Sequence, residues 1–340
     1  MSSSHLLPEI SDYIVDLLHN EPGTLQRCCL VCKSWIPRAR KHLFHKVSFL
    51  SLENLEAWKD IFPDPVDSPA HYARFLHIMP AFCTSVVHKS SLPQFQKRLV
   101  CSFPLLEDLE AASCKFSKND DNDAAFRPPT SPPLTGTLEL RMNRLESITH
   151  QLLELPGGVR FRKLVCTWNC EDDIRWVRAL VEKCVDTLEC IEIVDMYLGN
   201  ASINLSKAIR LKEVIFVLEE TEDVWTTVAL KTITSKHTQF KKVSIFIPVV
   251  DPALLGEAIG FFGKTFLDRW MDFDRVLVQL WESHAIHTQA IYLTEQQEKE
   301  ARDFIGSLLP EMTRRGIVKM VLELDVVVPW RESAMVSTLS

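Results

Sequence analysis

A short apolar run that recurs through the chain restricts the fold more than any other feature. From about residue 72 it returns as Phe75-Leu-His-Ile78, Leu109-Glu-Ala111, Leu138-Glu-Leu140, Leu164-Val-Cys166, Ile191-Glu-Ile193, Val214-Ile-Phe216, Val243-Ser-Ile245, Val276-Leu-Val278 and Val318 to Leu324. Runs of this length suit strands, and their starts lie about 24 to 42 residues apart, an irregular repeat. Most are followed by polar stretches. Glu171 to Lys183, Asp223 to Ser235, Pro252 to Phe262 and Thr294 to Arg315 carry helical patterns. The last is opened by a capping box, Thr294 with Gln297, and ended by Gly316. The expectation is an α/β chain in which each unit gives one parallel strand and a return segment, burying its inner side by stacking on its neighbours. Strand-helix alternation alone also fits an ordinary α/β sheet with helices on both faces.

Residues just after the strands favour the stacked arrangement. Leu138-x-Leu140-x-x-Asn143, Leu164-x-Cys166-x-x-Asn169, Leu188-x-x-Ile191-x-Ile193 and Leu106-x-x-Leu109-x-Ala111-x-x-Cys114 resemble leucine-rich-repeat spacing. In that spacing the Asn or Cys satisfies backbone groups where the strand turns away. Residues 117–136, SKNDDNDAAFRPPTSPPLTG, are charged and then proline-rich, and are expected to form a disordered insertion between repeats. Ser131-Pro132 within it is a minor candidate for phosphorylation.

The first 49 residues read differently. Apolar side chains at Ile10, Ile14, Leu17 and Leu18, then at Leu25, Cys28, Cys29, Cys32, Trp35 and Ile36, predict two amphipathic helices. HNEPGT separates them, with Thr24 as the expected cap of a helix starting at Leu25, and a third short helix ends near Phe44. So few residues bury too little apolar surface to stand alone, so the segment is expected to complete its core against a partner or the following domain, which suggests a docking module.

Leu6-x-Pro8-Glu9-Ile10, the following Ile14 and Leu17, Leu30-Val-Cys-Lys-Ser-Trp35 and Leu43-Phe44 resemble the F-box motif in its common fungal form. Leu7 stands where the family usually has proline, and Pro8 takes the neighbouring variable position. The resemblance implies a small three-helix F-box over 1–49 that binds a Skp-type adaptor and, through it, a cullin. It implies adaptor contacts at Leu6, Pro8, Ile10, Ile14, Leu17, Leu25, Val31, Cys32 and Trp35. Residues 50–340 then form an irregular leucine-rich-repeat-like solenoid that holds a protein substrate. The chain itself is expected to be a non-catalytic subunit of a ubiquitin ligase complex, needing no cofactor and no metal. A scaffold that binds the adaptor without a ligase role is the alternative.

Composition narrows the setting. A formal charge of −7 with interspersed signs offers no basic stripe for nucleic acid and no polybasic patch for a membrane, and Arg38, Arg40 and Lys41 make the only dense cationic run, a short solvated one. No apolar run is long enough to span a bilayer and no leader opens the chain, so a cytoplasmic or nuclear protein is expected. Most of the ten cysteines lie inside apolar patterns and are expected to be free thiols.

Other motifs carry little chemistry. Ala258-Ile-Gly-Phe-Phe-Gly263-Lys264-Thr265 satisfies a relaxed phosphate-loop pattern, but a helix runs into it and two phenylalanines fill the loop, so a nucleotide hydrolase built on Gly263, Lys264 and Thr265 is a remote alternative. Cys29-x-x-Cys32 with His42-x-x-His45 has the wrong spacing for a zinc finger, and nothing nearby completes a site around His284 and His287. Alternation within the strands leaves Glu110, Glu139, Arg141 and Glu192 facing outward in the earlier repeats. In the later ones it leaves Ile215, Val217, Phe246, Leu277 and Trp281. This second, apolar set is the candidate substrate-binding strip.

Overall fold

A computed structural model describes residues 7–63, 68–78, 94–95, 103–112, 115–116, 133–141, 145–155, 157–168, 171–195, 203–217, 224–246, 268, 270–292 and 298–322. Leu6, the region 117–132, helix Pro252 to Phe262, the phosphate-loop-like 258–265, Thr294 with Gln297, and the repeat-ending Cys114, Asn143 and Asn169 lie outside the described residues.

Three helices open the chain: α1 (Pro8–Leu17), α2 (Pro22–Val31) and, after a tight turn at Lys33–Trp35, α3 (Ile36–Leu43). Each has proline in its first two positions, where the missing N–H has no intrahelical partner to lose. Helix α2 therefore starts at Pro22 rather than Leu25: the proline that breaks the preceding segment also begins the next. The bundle has a small interior of its own, Val15, Leu25, Cys28 and Ala39, covered by Leu18, Cys29, Trp35 and Leu43.

The bundle runs straight into the second unit. Residues 46–49, grouped with the helices on sequence grounds, are the first strand of the sheet. Phe44 meets Trp58 of α4 (Leu52–Ile61) edge-on at 6.0 Å, and Phe49 meets the same indole at 5.7 Å. These aromatic contacts join the helical bundle to the sheet.

Among the described residues ten strands form one all-parallel sheet: β1 (Lys46–Phe49), β2 (Phe75–Ile78), β3 (Asp108–Ala112), β4 (Thr137–Arg141), β5 (Lys163–Trp168), β6 (Cys190–Asp195), β7 (Glu213–Val217), β8 (Lys242–Phe246), β9 (His287–Tyr292) and β10 (Val318–Leu322). They are hydrogen-bonded in chain order. The order never reverses, so the switch point of a doubly wound sheet does not arise.

The register explains the core. Leu76, Leu109, Leu138, Leu164, Ile191, Val214, Val243 and Thr288 line up across neighbouring strands. All are buried, and so are their i+2 partners from Ile78 through Ile245. Onto this row pack α5 (Leu145–Leu153) through Ile148 and Leu152, and α6 (Glu171–Cys184) through Ile174, Val177, Leu180, Val181 and Cys184. Helix α7 (Val224–Lys231), α8 (270–284), α9 (Glu298–Leu308) and α10 (Pro310–Arg314) extend the same core.

Two expectations are corrected here. Val276-Leu-Val278 is not a strand: it lies in α8, and the strand at that place is β9. Buried Trp270, Phe273, Leu277 and Leu280 recur at helical spacing, and a three-residue apolar run cannot separate a strand from a buried helix. The single helix to Arg315 is two helices, interrupted at Leu309 because the following Pro310 disfavours helical backbone there and lacks an N–H. Asp274 of α8 caps the second piece, accepting the N–H of Glu311 at 2.8 Å and of Met312 at 3.0 Å.

The turns leading into the strands are stitched in series. The carbonyl of Arg74 accepts the N–H groups of Glu107 (2.8 Å) and Asp108 (2.9 Å), that of Arg162 those of Glu189 (2.7 Å) and Cys190 (3.0 Å), and that of Glu189 those of Lys212 (2.7 Å) and Glu213 (3.1 Å). Gly136 is in this ladder, donating to Glu107 O at 3.0 Å. A Cβ on it would lie 2.8 Å from that carbonyl oxygen and would press into the Asp108 carboxylate. Gly136→Ala is therefore expected to cost about 1–3 kcal/mol, read as a lower urea midpoint with an unchanged slope. Leu134, within the segment expected to be an insertion, is buried and bridges Val159, so residues 133–136 belong to the packed unit.

Candidate docking surfaces

The helical bundle is unusual in what it leaves outside. Leu7, Ile10, Tyr13, Leu17, Leu30 and Val31 are all exposed, Leu17 at 63% and Leu30 at 87%. Helical spacing puts Leu7, Ile10, Ile14 and Leu17 along one side of α1, and Leu30 and Val31 close α2. Pro8 and Cys32 are exposed, while Ile14 and Trp35 are half-buried. Leu25 is the exception among the predicted contacts. At 1% exposure it is interior to the bundle and cannot touch a partner.

An ion-pair cluster fixes the angle of this surface. Asp16 of α1 accepts Arg38 Nε at 2.6 Å and lies 2.7 Å from His42 Nε2, with Arg38 Nη2 on its other oxygen, so one carboxylate ties α1 to two turns of α3. The Arg38 hydrogen bond, aided by that of His42, holds the Asp16 carboxyl well below its usual range. Its stabilising contribution is complete above the unfolded-state value near 3.9 and is lost as pH falls below it toward the depressed folded value. Asp16→Asn should thus melt lower than the parent chain at pH 7, with the gap closing as the pH is taken through the carboxylate range. A melting series by circular dichroism reads this out.

On the sheet, the row opposite the core contains Ser48, His77, Glu110, Glu139, Val165, Glu192, Ile215 and Ser244 in continuous register. Its glutamates at 139 and 192 are paired with cations, whereas His77 Nε2 is buried without a hydrogen bond. His77 lies 3.5 Å from Glu110, Arg141 hydrogen-bonds Glu139 and sits 4.0 Å from Glu192, and Lys163 is 3.3 Å from Glu192. Burial and then neighbouring Glu139 push the Glu110 carboxyl up, and burial followed by Lys46 pushes His77 down. Val165 and Ser244 are buried, so the row is not a uniformly wet face.

Ile215 is half-buried in this row, and Val217 and Phe246 are paired with each other on the adjacent one. Leu277 and Trp281 do not join them. Both lie on α8, Leu277 at 0% exposure and Trp281 at 38%. Strand register continues the line instead from Phe246 to Ile291 and Val321, a connection visible only once β9 is placed at His287–Tyr292.

The described cysteines are free. Burial pushes Cys166 and Cys190 up to about 12 and Cys184 to about 11, which leaves them as inert small hydrophobes. Exposed Cys32 goes the other way, its thiol lowered by a 3.0 Å hydrogen bond with Ser34 Oγ. Among the described residues no cluster of three or more His, Cys, Asp or Glu side chains could hold a metal ion, and no helix is long and apolar enough to cross a membrane. No family model, curated protein or solved structure matches the chain.

Proposed function

We propose that this chain is the substrate-recognition subunit of an SCF-type (Skp adaptor, cullin, F-box) E3 ubiquitin ligase. The F-box is the three-helix bundle, and the parallel sheet is an irregular leucine-rich-repeat-like domain that receives a protein target. The observation that supports it most is the exposed apolar surface of α1 and the end of α2, on a bundle with only a four-residue buried interior. Apolar surface concentrated on so small a unit marks a protein interface. The aromatic joint through Phe44, Phe49 and Trp58 suits a receptor, because it sets the target at a fixed place relative to the adaptor. Function is then by proximity: the target is held near a ubiquitin-conjugating enzyme supplied by the complex, and this chain contributes no catalytic group.

Co-expression of the full chain with a Skp-type adaptor, followed by size exclusion, tests the proposal. A one-to-one complex that also retains a cullin is the expected result. A folded chain that elutes alone refutes it, and a complex with the adaptor that never takes up a cullin leaves the scaffold role instead.

A further inference from the structure

Cations that are scattered along the sequence converge on one rim of the sheet, where the turns enter β5, β7 and β8. The residue just before each strand stacks on its neighbours through the turn ladder, in the order Arg162, Glu189, Lys212, Lys241. The turns before β7 and β8 are copies of one another: Ser206-Lys207-Ala-Ile-Arg-Leu-Lys212 and Ser235-Lys236-His-Thr-Gln-Phe-Lys241 place Lys207 level with Lys236 and Lys212 level with Lys241. The N–H of Ala208 bonds Leu205 O and that of His237 bonds Thr234 O, both at 2.9 Å, the same bond in each copy. Buried His237 then locks the two turns together, its Nε2 2.9 Å from the Leu205 carbonyl oxygen.

Acids neutralise only part of this rim. Lys163 is paired with Glu192 at 3.3 Å, Lys212 with Glu189 at 2.7 Å and Lys242 with Glu213 at 2.9 Å. Arg162 and Arg210 act on Glu189 only through space. Arg160, Arg162, Lys207, Arg210, Lys236 and Lys241 are exposed, with no ion-pair or hydrogen-bond partner for their side chains among the described residues. In a chain of net charge −7 this is a local excess of positive charge on a backbone that holds it in fixed rows.

We propose that this rim binds an extended acidic segment of a protein, carboxylate- or phosphate-bearing, and that it is part of how the sheet domain holds its target; this rests on the substrate-receptor reading above. Three inter-strand steps span about 14 Å, the reach of four or five residues of extended peptide. Half-exposed Ile209, between Lys207 and Arg210, adds one apolar contact to the charged ones. A single-stranded nucleic acid fits less well. It needs aromatic faces to stack on, whereas the aromatics of these turns, Phe161 and Phe240, are 0% and 1% exposed.

Fluorescence anisotropy of the full chain with a labelled eight-residue peptide of alternating glutamate and phosphoserine tests the proposal, beside an all-glutamate peptide, oligothymidylate and phosphatidylserine vesicles. The expected result is salt-sensitive binding of the acidic peptides that weakens at least tenfold in Lys207→Glu/Lys236→Glu/Lys241→Glu. These side chains are exposed, so melting temperature should be unchanged, and Lys207→Ser/Lys236→Ser/Lys241→Ser gives the same loss without added acid. Absent peptide binding, equal binding by the variants, or tighter binding of oligothymidylate or vesicles each overturns it. Adaptor binding, measured on the same samples, reports on the substrate-receptor reading separately. An adaptor complex with no peptide binding removes the rim alone, whereas peptide binding without an adaptor complex removes that reading and leaves the rim.

Discussion

Glutamate placed together at Ile10, Leu17 and Val31 is expected to abolish the complex with a Skp-type adaptor while the chain stays folded. All three side chains already face solvent, so replacing them changes the free protein little, within about 0.5 kcal/mol each. In a complex the same positions lose their apolar contact, at about 1.5–3 kcal/mol for a fully buried aliphatic side chain, and a carboxylate is desolvated without a partner. Even one position suffices for about a hundredfold loss, which is near 2.7 kcal/mol, and three put the complex beyond detection by size exclusion. Leu25→Glu is the contrasting variant. It drives a charge into the four-residue interior and should unfold the bundle, visible as lost helical signal. If the triple variant is folded and still elutes with the adaptor, the adaptor does not use this surface.

Whether each feature could be read from the chain depends on how far apart the deciding residues are. Strands β2 to β8 are legible because Leu76, Leu109, Leu138, Leu164, Ile191, Val214 and Val243 each begin an apolar-x-apolar run, which needs only three residues of context. The same local signal misplaces Val276-Leu-Val278, where the longer pattern from Trp270 to Leu280 decides for helix. Strand β9 is hard to see because its core position is Thr288, a polar residue within an otherwise aliphatic row. On the bundle, periodicity identifies apolar residues but not which side of the helix is covered. Leu25 and Leu17 therefore read alike in sequence and part company in burial. The cationic rim was hidden for a different reason: its three short clusters, at 160–163, 207–212 and 236–242, lie far apart in the chain and meet only through the turn ladder.

Leu277→Ala is expected to cost about 2–5 kcal/mol, because it empties a leucine-sized space in the core that α8 shares with the sheet. Trp281, four residues on, is partly exposed on the same helix. Trp281→Ala should lose less, since an indole open to solvent on one side leaves no closed cavity behind it. Urea midpoints of the two variants, compared at equal slope, separate helix from strand at this place. As outward neighbours on a strand, both residues would be surface positions of similar cost, and their loss would weaken target binding without weakening the fold. In the helix, Leu277 is purely structural, and the apolar line of the sheet runs from Val217 and Phe246 to Ile291 and Val321 instead. A target that depends on the apolar residues of the sheet should therefore respond to Ile215→Glu and ignore Trp281→Ala. Equal, small stability losses at 277 and 281 would return this segment to the sheet and with it the original strip.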